Sequence, residues 1–506
     1  MFDQFVTAAA GACGAGAVGA WARVENAACA QRLFAIADLL EARLSADGSA
    51  EREQWCLDNW DAVAAEVAAV HNVSLGVASH QLVVACALRE RLPRVADVFA
   101  AGHISYRVVN TIGARTRLIK DPAAMGKVDA EVAAEVIEWG ALSVAKTEAA
   151  IDYWVDRHDP HALVRTELSA RGRRHVDVVP TDGGTGLAWI EGTLFSTDAA
   201  ALDKRLDAMA RSVCQADPRT LEQRRADALG ALAHGGDRLT CACGAADCDA
   251  AAAGPSAVVI NVIAEQASLS DETAVQLDGE TAPGSTTEQL RQITLAEALA
   301  PLPGTPPADT HPAVVMGGGI LPAPLLAAKV AYTATFRLVI HPGDSAPEPH
   351  YVPSAALARF VRCRDLTCRF PGCDEPADVC DIDHTIPYPV GPTCASDLKC
   401  ICRKHHLFKT FCGWLDQQLP DGTVIWTAPS GQTYTTHPGS RLLFPMLCKP
   451  TAPVHAPANA ASVEPNRGLK MPRRKTTRAN DRAKRVDERR KLNDEYVAER
   501  NKPPPF

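Results

Sequence analysis

Residues 363–410 read CRDLTCRFPGCDEPADVCDIDHTIPYPVGPTCASDLKCICRKHHLFKT, and the organisation of the whole chain follows from how this stretch is read. It gathers seven cysteines, three histidines and an adjacent Asp-His pair. Cys368 and Cys373 flank a Phe-Pro-Gly turn, and far downstream Cys402 and His405 stand at the i, i+3 spacing of a helix. Two such pairs, three thiolates and one imidazole in all, are the donor set of a closed tetrahedral zinc site. Cysteine also serves as a small buried hydrophobe, but that role does not account for two pairs at ligand spacing. Cys363, Cys380, Cys394, Cys400 and Cys412 have no partner in this scheme and read as core or loop thiols.

A second set of residues is interleaved with the first. Asp383-His384 closes the short run from Val379 to Ile382, and His406 directly follows His405. Neighbouring residues on a helix point about 100° apart, so a helix that turns His405 toward a metal turns His406 elsewhere. The expected order is a strand ending at Asp383-His384, an excursion through Pro387, Pro389, Gly391 and Pro392, a second short strand, and a helix. That order is expected to bring Asp383, His384 and His406 together on the side away from the zinc.

The segments RDLTCRFPGC, CDIDH, PYPVGPT and LKCICRKHH with Lys409 resemble the zinc-stapled HNH nuclease site, of the ββα-metal type, at the C-terminus of the actinobacterial 13E12 repeat family. The resemblance implies an endonuclease that hydrolyses DNA phosphodiester bonds. In it His384 is the general base on water, Asp383 with His406 holds a catalytic Mg²⁺ or Mn²⁺, and Cys368, Cys373, Cys402 and His405 hold a structural Zn²⁺. The residue types suit that chemistry. A phosphodiester needs a deprotonated water and a cation to stabilise charge on the phosphate and the departing oxygen. A neutral histidine can take the proton, and a hard divalent ion prefers a carboxylate oxygen. Arg364 and Lys409 flank the segment and are candidate phosphate contacts.

Asp397-Leu398 stands where the HNH pattern has asparagine before leucine, so Asp397 is carried over as the middle catalytic position. An amide both donates and accepts a hydrogen bond, whereas an ionised carboxylate only accepts. Either Asp397 is tolerated, or it breaks a loop hydrogen bond and leaves a zinc-stapled DNA-binding protein that does not cut. A structural or protein-interaction role is the third reading.

Composition sets the frame. The 506 residues are 47% hydrophobic but only 5% aromatic, a globular composition in a chain too long for one core. No run of 18 strongly apolar residues occurs, so no membrane partner is expected. The opening MFDQFVTAAAGACGAGAVGAWAR carries an acid where a signal peptide wants a base, and reads as a helix. Seventeen cysteines, most of them in two clusters, point to a reducing cytoplasm rather than a disulfide framework. The net charge of −8 is segregated: residues 466–506 carry 14 Lys/Arg against 6 Asp/Glu, which leaves −16 on the rest. MPRRKTTRANDRAKRVDERRKL, residues 471–492, is therefore expected to be a disordered basic tail that neutralises DNA phosphates, with a merely solvated tail as the alternative.

Upstream, residues 21–160 have a helical period throughout, with Leu33, Ile36, Leu40 and Leu44 forming one apolar stripe. Helices are expected over 79–92, 94–101, 105–118 with Ser105 as cap, 123–138 and 143–157. The period then changes to strands over 174–179 and 186–194 around Asp182-Gly183-Gly184, followed by helices over 197–213 and 218–233. A strand is expected over 256–264, a Pro-rich irregular stretch around Pro301, Pro303, Pro306 and Pro307, a helix over 322–331 and a strand over 334–340. Gly317-Gly318-Gly319 lacks the lysine of a phosphate loop and reads as a turn. LPRVADVFAAGHISYRVVNTI, GRRHVDVVPTDGGTGLAWIEGTL and PRTLEQRRADALGALAHG resemble the N-terminal domain of unknown function, of the DUF222 type, that precedes the HNH site in the 13E12 family. This implies shared architecture and no chemistry. Cys241, Cys243 and Cys248 form CxCGxxxC and, with His234, offer a second zinc site; plain loop thiols are the alternative.

The expected fold class is α+β. A mostly helical N-terminal domain with a small mixed α/β part spans 20–340, a linker 341–354, and a zinc-stapled ββα-metal (HNH) domain with a small β extension 355–445, including strands over 413–419, 424–428 and 432–436. A disordered tail spans 449–506.

Overall fold

A stretch rich in alanine and valine, NWDAVAAEVAAVH, makes the helix on which two cores meet. The computed structural model describes residues 2–140, 142–164, 175–180, 187–194, 196–245, 247–250, 260–271, 291–298, 311–329, 334–454 and 471–502. Its first half is a stack of helices: α1 (Phe2–Ala10), α2 (Gly14–Asp47), α3 (Asn59–His71), α4 (Leu75–Glu90), α5 (Pro93–Ala100), α6 (Tyr106–Thr116), α7 (Pro122–Glu135) and α8 (Val144–His158). Short polar side chains fix where these begin. Asp58, Ser74, Ser105, Asp121 and Ser143 each accept a backbone N–H from the first turn of α3, α4, α6, α7 and α8, satisfying donors that a helix start leaves open. Leu33, Ile36 and Leu40 are buried as the stripe on α2 requires, while Leu44 at its end is exposed.

Helix α3 is buried over ten of its thirteen residues, with Val70 exposed, as a helix apolar on more than one face must be. Val63, Ala64, Val67 and Ala68 belong to the core of the helical stack. Ala65 and Ala69 belong to a second core built from the C-terminal unit, with Phe360, Phe370, Phe408, Trp414 and Trp426. The two units therefore share a wall. At the C-terminal end of α3 the contact closes to backbone distance: a Cβ on Gly372, whose φ is +69°, would stand 2.7 Å from the carbonyl oxygen of Val73.

Between the units lie a hairpin of β1 (His175–Pro180) and β2 (Ala188–Thr193), helices α9 (Ser196–Ala210) and α10 (Leu221–Ala233), and a small antiparallel sheet of β3 (Val262–Ile263), β4 (Ala313–Val315) and β5 (Ile320–Leu321) followed by α11 (Ala323–Lys329). Gly317-Gly318-Gly319 is the turn between β4 and β5, as read. The expected hairpin turn at Asp182-Gly183-Gly184, and Pro301 to Pro307, lie outside the described residues. Residues 334–340 form no strand: among the described residues no segment pairs with them, and Phe336, Leu338 and Ile340 stay exposed.

The C-terminal unit runs α12 (Ala355–Asp365), the antiparallel pair β6 (Asp381–His384) and β7 (Leu398–Ile401), α13 (Arg403–Phe411), and the meander β8 (Leu415–Gln418), β9 (Val424–Thr427), β10 (Thr433–Thr436). The register of β6 on β7 sets Asp383 opposite Lys399 and His384 opposite Leu398. The chain is thus a mixed α+β protein, and no single described helix is long and apolar enough to cross a membrane.

The expected linker, residues 341–354, makes contacts with the C-terminal unit: the Glu348 N–H donates to the Thr393 carbonyl, and Tyr351 stacks on His384 at 5.3 Å. One sequence expectation fails here: the basic tail is not disordered where it is described. Residues 471–502 contain α14 (Arg478–Lys491) and α15 (Asp494–Arg500) and lie back along the helical stack. Met471 is buried in the second core, and the Cys56 N–H donates to the Pro472 carbonyl. Asp61 receives Arg474 at 2.7 Å and Arg478 at 2.9 Å, Asp58 receives Arg478 at 3.0 Å, and Asp159 receives Arg490 at 2.7 Å. Composition alone suggests a solvated segment; the acidic body supplies fixed partners that order it.

Asp61 also faces Lys404 of α13 at 3.5 Å, so one carboxylate holds tail, helical stack and C-terminal unit together. Asp61→Ala should lower stability by about 1–3 kcal/mol and make residues 471–502 markedly more sensitive to trypsin than in the wild type. Unchanged proteolysis would show that the ion pairs do not hold the tail.

Candidate metal centre

The metal centre begins with a knuckle. The Cys368 N–H donates to the Glu375 carbonyl and the Cys373 N–H to the Phe370 carbonyl, which folds the RFPG turn so that both thiols face one point. Strand β7 delivers Cys402 to the N-cap of α13, and one turn later His405 points back. The donor atoms of Cys368, Cys373, Cys402 and His405 lie within 4.8 Å of one another, with His405 Nδ1 3.2 Å from Cys402 Sγ and 3.6 Å from Cys368 Sγ. Phe370 lies flat on the His405 ring at 4.0 Å and packs against Trp414 and Trp426. Three thiolates and one imidazole, buried and convergent, could hold a structural zinc. All four residues expected as its ligands are brought together.

The face of the hairpin away from this cluster is a dense ion network. His406 Nδ1 is 3.1 Å from Asp381 Oδ2 and its Nε2 is 3.4 Å from Asp383 Oδ1. Asp383 also meets Lys409 at 2.7 Å and Lys399 at 3.2 Å, and both lysines reach Asp416 on β8. Burial opposes ionisation of Asp383, but Lys399 and Lys409 outweigh it and hold the carboxyl below its ordinary range.

His384 does not join this network through its ring. Successive strand residues face opposite ways, and its Nε2 sits 2.9 Å from Thr393 Oγ1, with the ring against Tyr351 and Tyr388. Burial lowers its pKa. Of the expected trio, Asp383 and His406 therefore touch each other, while the His384 ring is held by Thr393, Tyr351 and Tyr388.

Three other expected site residues have different duties. Arg364 contacts no solvent-exposed surface suited to phosphate: it is 2% exposed, donates to Asp365 Oδ1 and to the carbonyls of Ala395 and Leu398, and so pins α12 to β7. The reason is its inward position on α12. Lys409 is likewise turned inward, onto Asp383 and the His384 carbonyl. Asp397 is 1% exposed and anchors the loop between β6 and β7. Its Oδ1 accepts the Ile386 N–H at 3.0 Å, and its carbonyl accepts the Thr385 N–H at 2.7 Å. Its Oδ2 is buried without a hydrogen-bond partner among the described residues. Gly391 is required beside it, since a Cβ there would come within 2.1 Å of the Ile386 oxygen and 2.6 Å of Asp397 Oδ2. Burial pushes the Asp397 carboxyl up to about 7, so at neutral pH a protonated fraction can donate as an amide would.

Sequence reasoning missed Asp381, Lys399, Thr393, Tyr351 and Asp416. Strand alternation could have found the first, two residues from Asp383 on the same face. The others depend on register and on chain segments remote in sequence.

The second thiol cluster is complete in a different way from that expected. Cys241, Cys243 and Cys248 converge with Cys214, not with His234, all within 4.8 Å.

Comparison with known proteins gives the chain its relatives. A family model described as "Domain of unknown function (DUF222)" matches residues 20–365. An uncharacterized protein of Mycobacterium tuberculosis (strain ATCC 25618 / H37Rv), Rv2100, is 53% identical over 493 residues, 96% of this chain and 88% of the relative. A second from the same strain, Rv3776, is 50% identical over 490 residues, covering 96% and 90%. No solved structure matches.

The loop anchor has a pH signature. A buried acid whose pKa in the folded state is about 7, against about 3.9 when unfolded, contributes stability that is complete below the lower value and lost as pH rises through the upper one. Asp397→Asn keeps the acceptor for Ile386 and removes the titration. Its stability relative to wild type should improve by about 2–4 kcal/mol between pH 4 and pH 8, read from melting curves across that range. A difference constant with pH would show that Asp397 does not titrate there.

Proposed function

The chain belongs to the DUF222 family, whose matched region ends at residue 365 just before the cysteine knuckle, and from that premise we propose that the C-terminal unit is a zinc-stapled HNH endonuclease domain acting on DNA. One observation carries the reading. A β-hairpin whose first strand, β6, ends in Asp383-His384 and whose second strand, β7, runs straight into a helix gives, from that helix's first turn, His405 to the cysteine cluster and His406 to Asp381 and Asp383. This is the ββα order that the residue pattern of the 13E12 family resembles.

The roles follow from contacts. His384 is the general base: stacking on Tyr351 and the Thr393 hydroxyl fix its ring, and a neutral imidazole so held can take a proton from water. Asp383 and His406 would hold a divalent ion, Mg²⁺ or Mn²⁺, and the fit is supported by Asp383 Oδ1 and His406 Nε2 standing 3.4 Å apart. Asp381, against the other ring nitrogen, orients His406 as an outer carboxylate orients a metal-ligating histidine. When bound, the ion would neutralise charge on the scissile phosphate and the departing oxygen. Lys399 and Lys409 already neutralise Asp383, so affinity for the ion is expected to be weak. Lys409 has two alternative partners in this scheme, Asp383 and a substrate phosphate.

A second reading has an observation of its own. Asp397 serves as a loop anchor, and Asp383 is already matched by two ammonium groups, which also suits a zinc-stapled DNA-binding module that no longer cuts.

Supercoiled plasmid incubated with the full chain and Mg²⁺, then Mn²⁺, separates the two. Nicked or linear product from wild type that falls by about 10²-fold or more in His384→Ala, with zinc content retained, is the expected result. Plasmid shifted in a gel but uncut by wild type, and cut by Asp397→Asn, would establish the binding module instead.

A further inference from the structure

The helix pair α9–α10 and the loop after it carry the thiol cluster that the nuclease reading does not use. Cys214 lies beyond the end of α9, and Cys241, Cys243 and Cys248 lie on the loop beyond α10. All four sulfurs are within 4.8 Å of one another, and those of Cys214 and Cys241 are 3.5 Å apart, too far for a bond of about 2.05 Å. We propose that these four thiolates hold a structural zinc ion, a metal centre belonging to the DUF222 region itself and separate from the Cys368 cluster beyond it.

The donor set selects the ion. Four soft thiolates of one kind fill a tetrahedral shell and leave no position for water or substrate, which is the form of a structural zinc site. The residues around them are arranged to hold the ligand arms. Asp217, with no side-chain exposure, accepts Arg219 Nε at 3.0 Å and Nη2 at 2.7 Å, and accepts the Ala242 N–H at 2.9 Å. Arg219 in turn donates to Asp227 on α10 at 2.6 Å and to the Thr240 carbonyl at 2.7 Å. This buried pair thus ties the Cys214 arm to the Cys241–Cys243 arm and both to the helix. The Cys241 N–H donates to the Ala250 carbonyl at 2.7 Å, and Gly244, at φ +73°, turns the chain between Cys243 and Cys248.

Packing supplies the second argument. Among the described residues, the core cluster between α9 and α10 has three buried apolar members, Met209, Ala228 and Leu239, with Leu206, Val213, Ala231 and Leu232 partly buried around them. A core of that size is too small to hold such a unit by apolar burial, and units of this kind rely on a staple. The zinc supplies it by joining the end of α9 to the loop after α10.

The test is metal content of the full chain, expressed without added zinc and measured by native mass spectrometry and elemental analysis. Two zinc ions per wild-type chain are expected. Cys214→Ser and Cys402→Ser should each leave one, and the double variant none. Replacing zinc with Co²⁺ gives a second readout: Cys214→His should keep two ions and weaken the thiolate-to-cobalt charge-transfer band, which keeps the test decisive if Cys214→Ser fails to fold. One zinc per wild-type chain that Cys214→Ser retains and Cys402→Ser loses would overturn the proposal, as would iron in place of zinc, or a freshly purified chain short of hydrogen atoms through a disulfide within 214–248.

Discussion

Burial of α3 on two sides is the constraint from which the rest of the structure follows. A helix built from alanine and valine has little side-chain volume, so neighbours on both sides approach its backbone closely. Its ten buried residues serve the helical stack through Val63 and Val67 and the C-terminal unit through Ala65 and Ala69. Neither unit can leave without exposing apolar surface on that helix, each buried side chain of this kind being worth about 1–3 kcal/mol. The cysteine knuckle rests on the C-terminal end of the same helix through Gly372. The position of the metal centre is thus fixed by the helical stack as well as by its own ligands.

Electrostatics reinforces the same junction. The negative charge of the body and the positive charge of the tail, segregated in the sequence, meet at Asp58, Asp61 and Asp159, which take Arg474, Arg478 and Arg490. Arginines engaged in this way are not free for phosphates. Any polyanion that uses this segment has to exchange with carboxylates already in place, and both the internal and the external contacts weaken with salt.

At the hairpin, the physical theme is compensation of buried charge. Asp383, Asp416, Lys399 and Lys409 are all largely shielded, and each has an opposite charge within hydrogen-bond distance. Asp397 has no such partner, so its carboxyl moves toward neutrality instead. The difference separates a site built to handle charge from a residue that shapes a loop.

The sequence by itself determined what depends on short spacing. The two pairs Cys368/Cys373 and Cys402/His405, the divergence of His405 from His406, the cap at Ser105, and the turn at Gly317–Gly319 follow from local geometry that a few residues impose. Only the tertiary structure decided what depends on which remote segments meet. Arg364 turned inward to pin α12 on β7, Tyr351 came onto His384 from a presumed linker, Cys214 and not His234 completed the second thiol cluster, and the basic tail found its acids hundreds of residues away. Spacing rules reach one turn of helix or one pleat of strand, whereas these contacts are selected by the packing of whole elements.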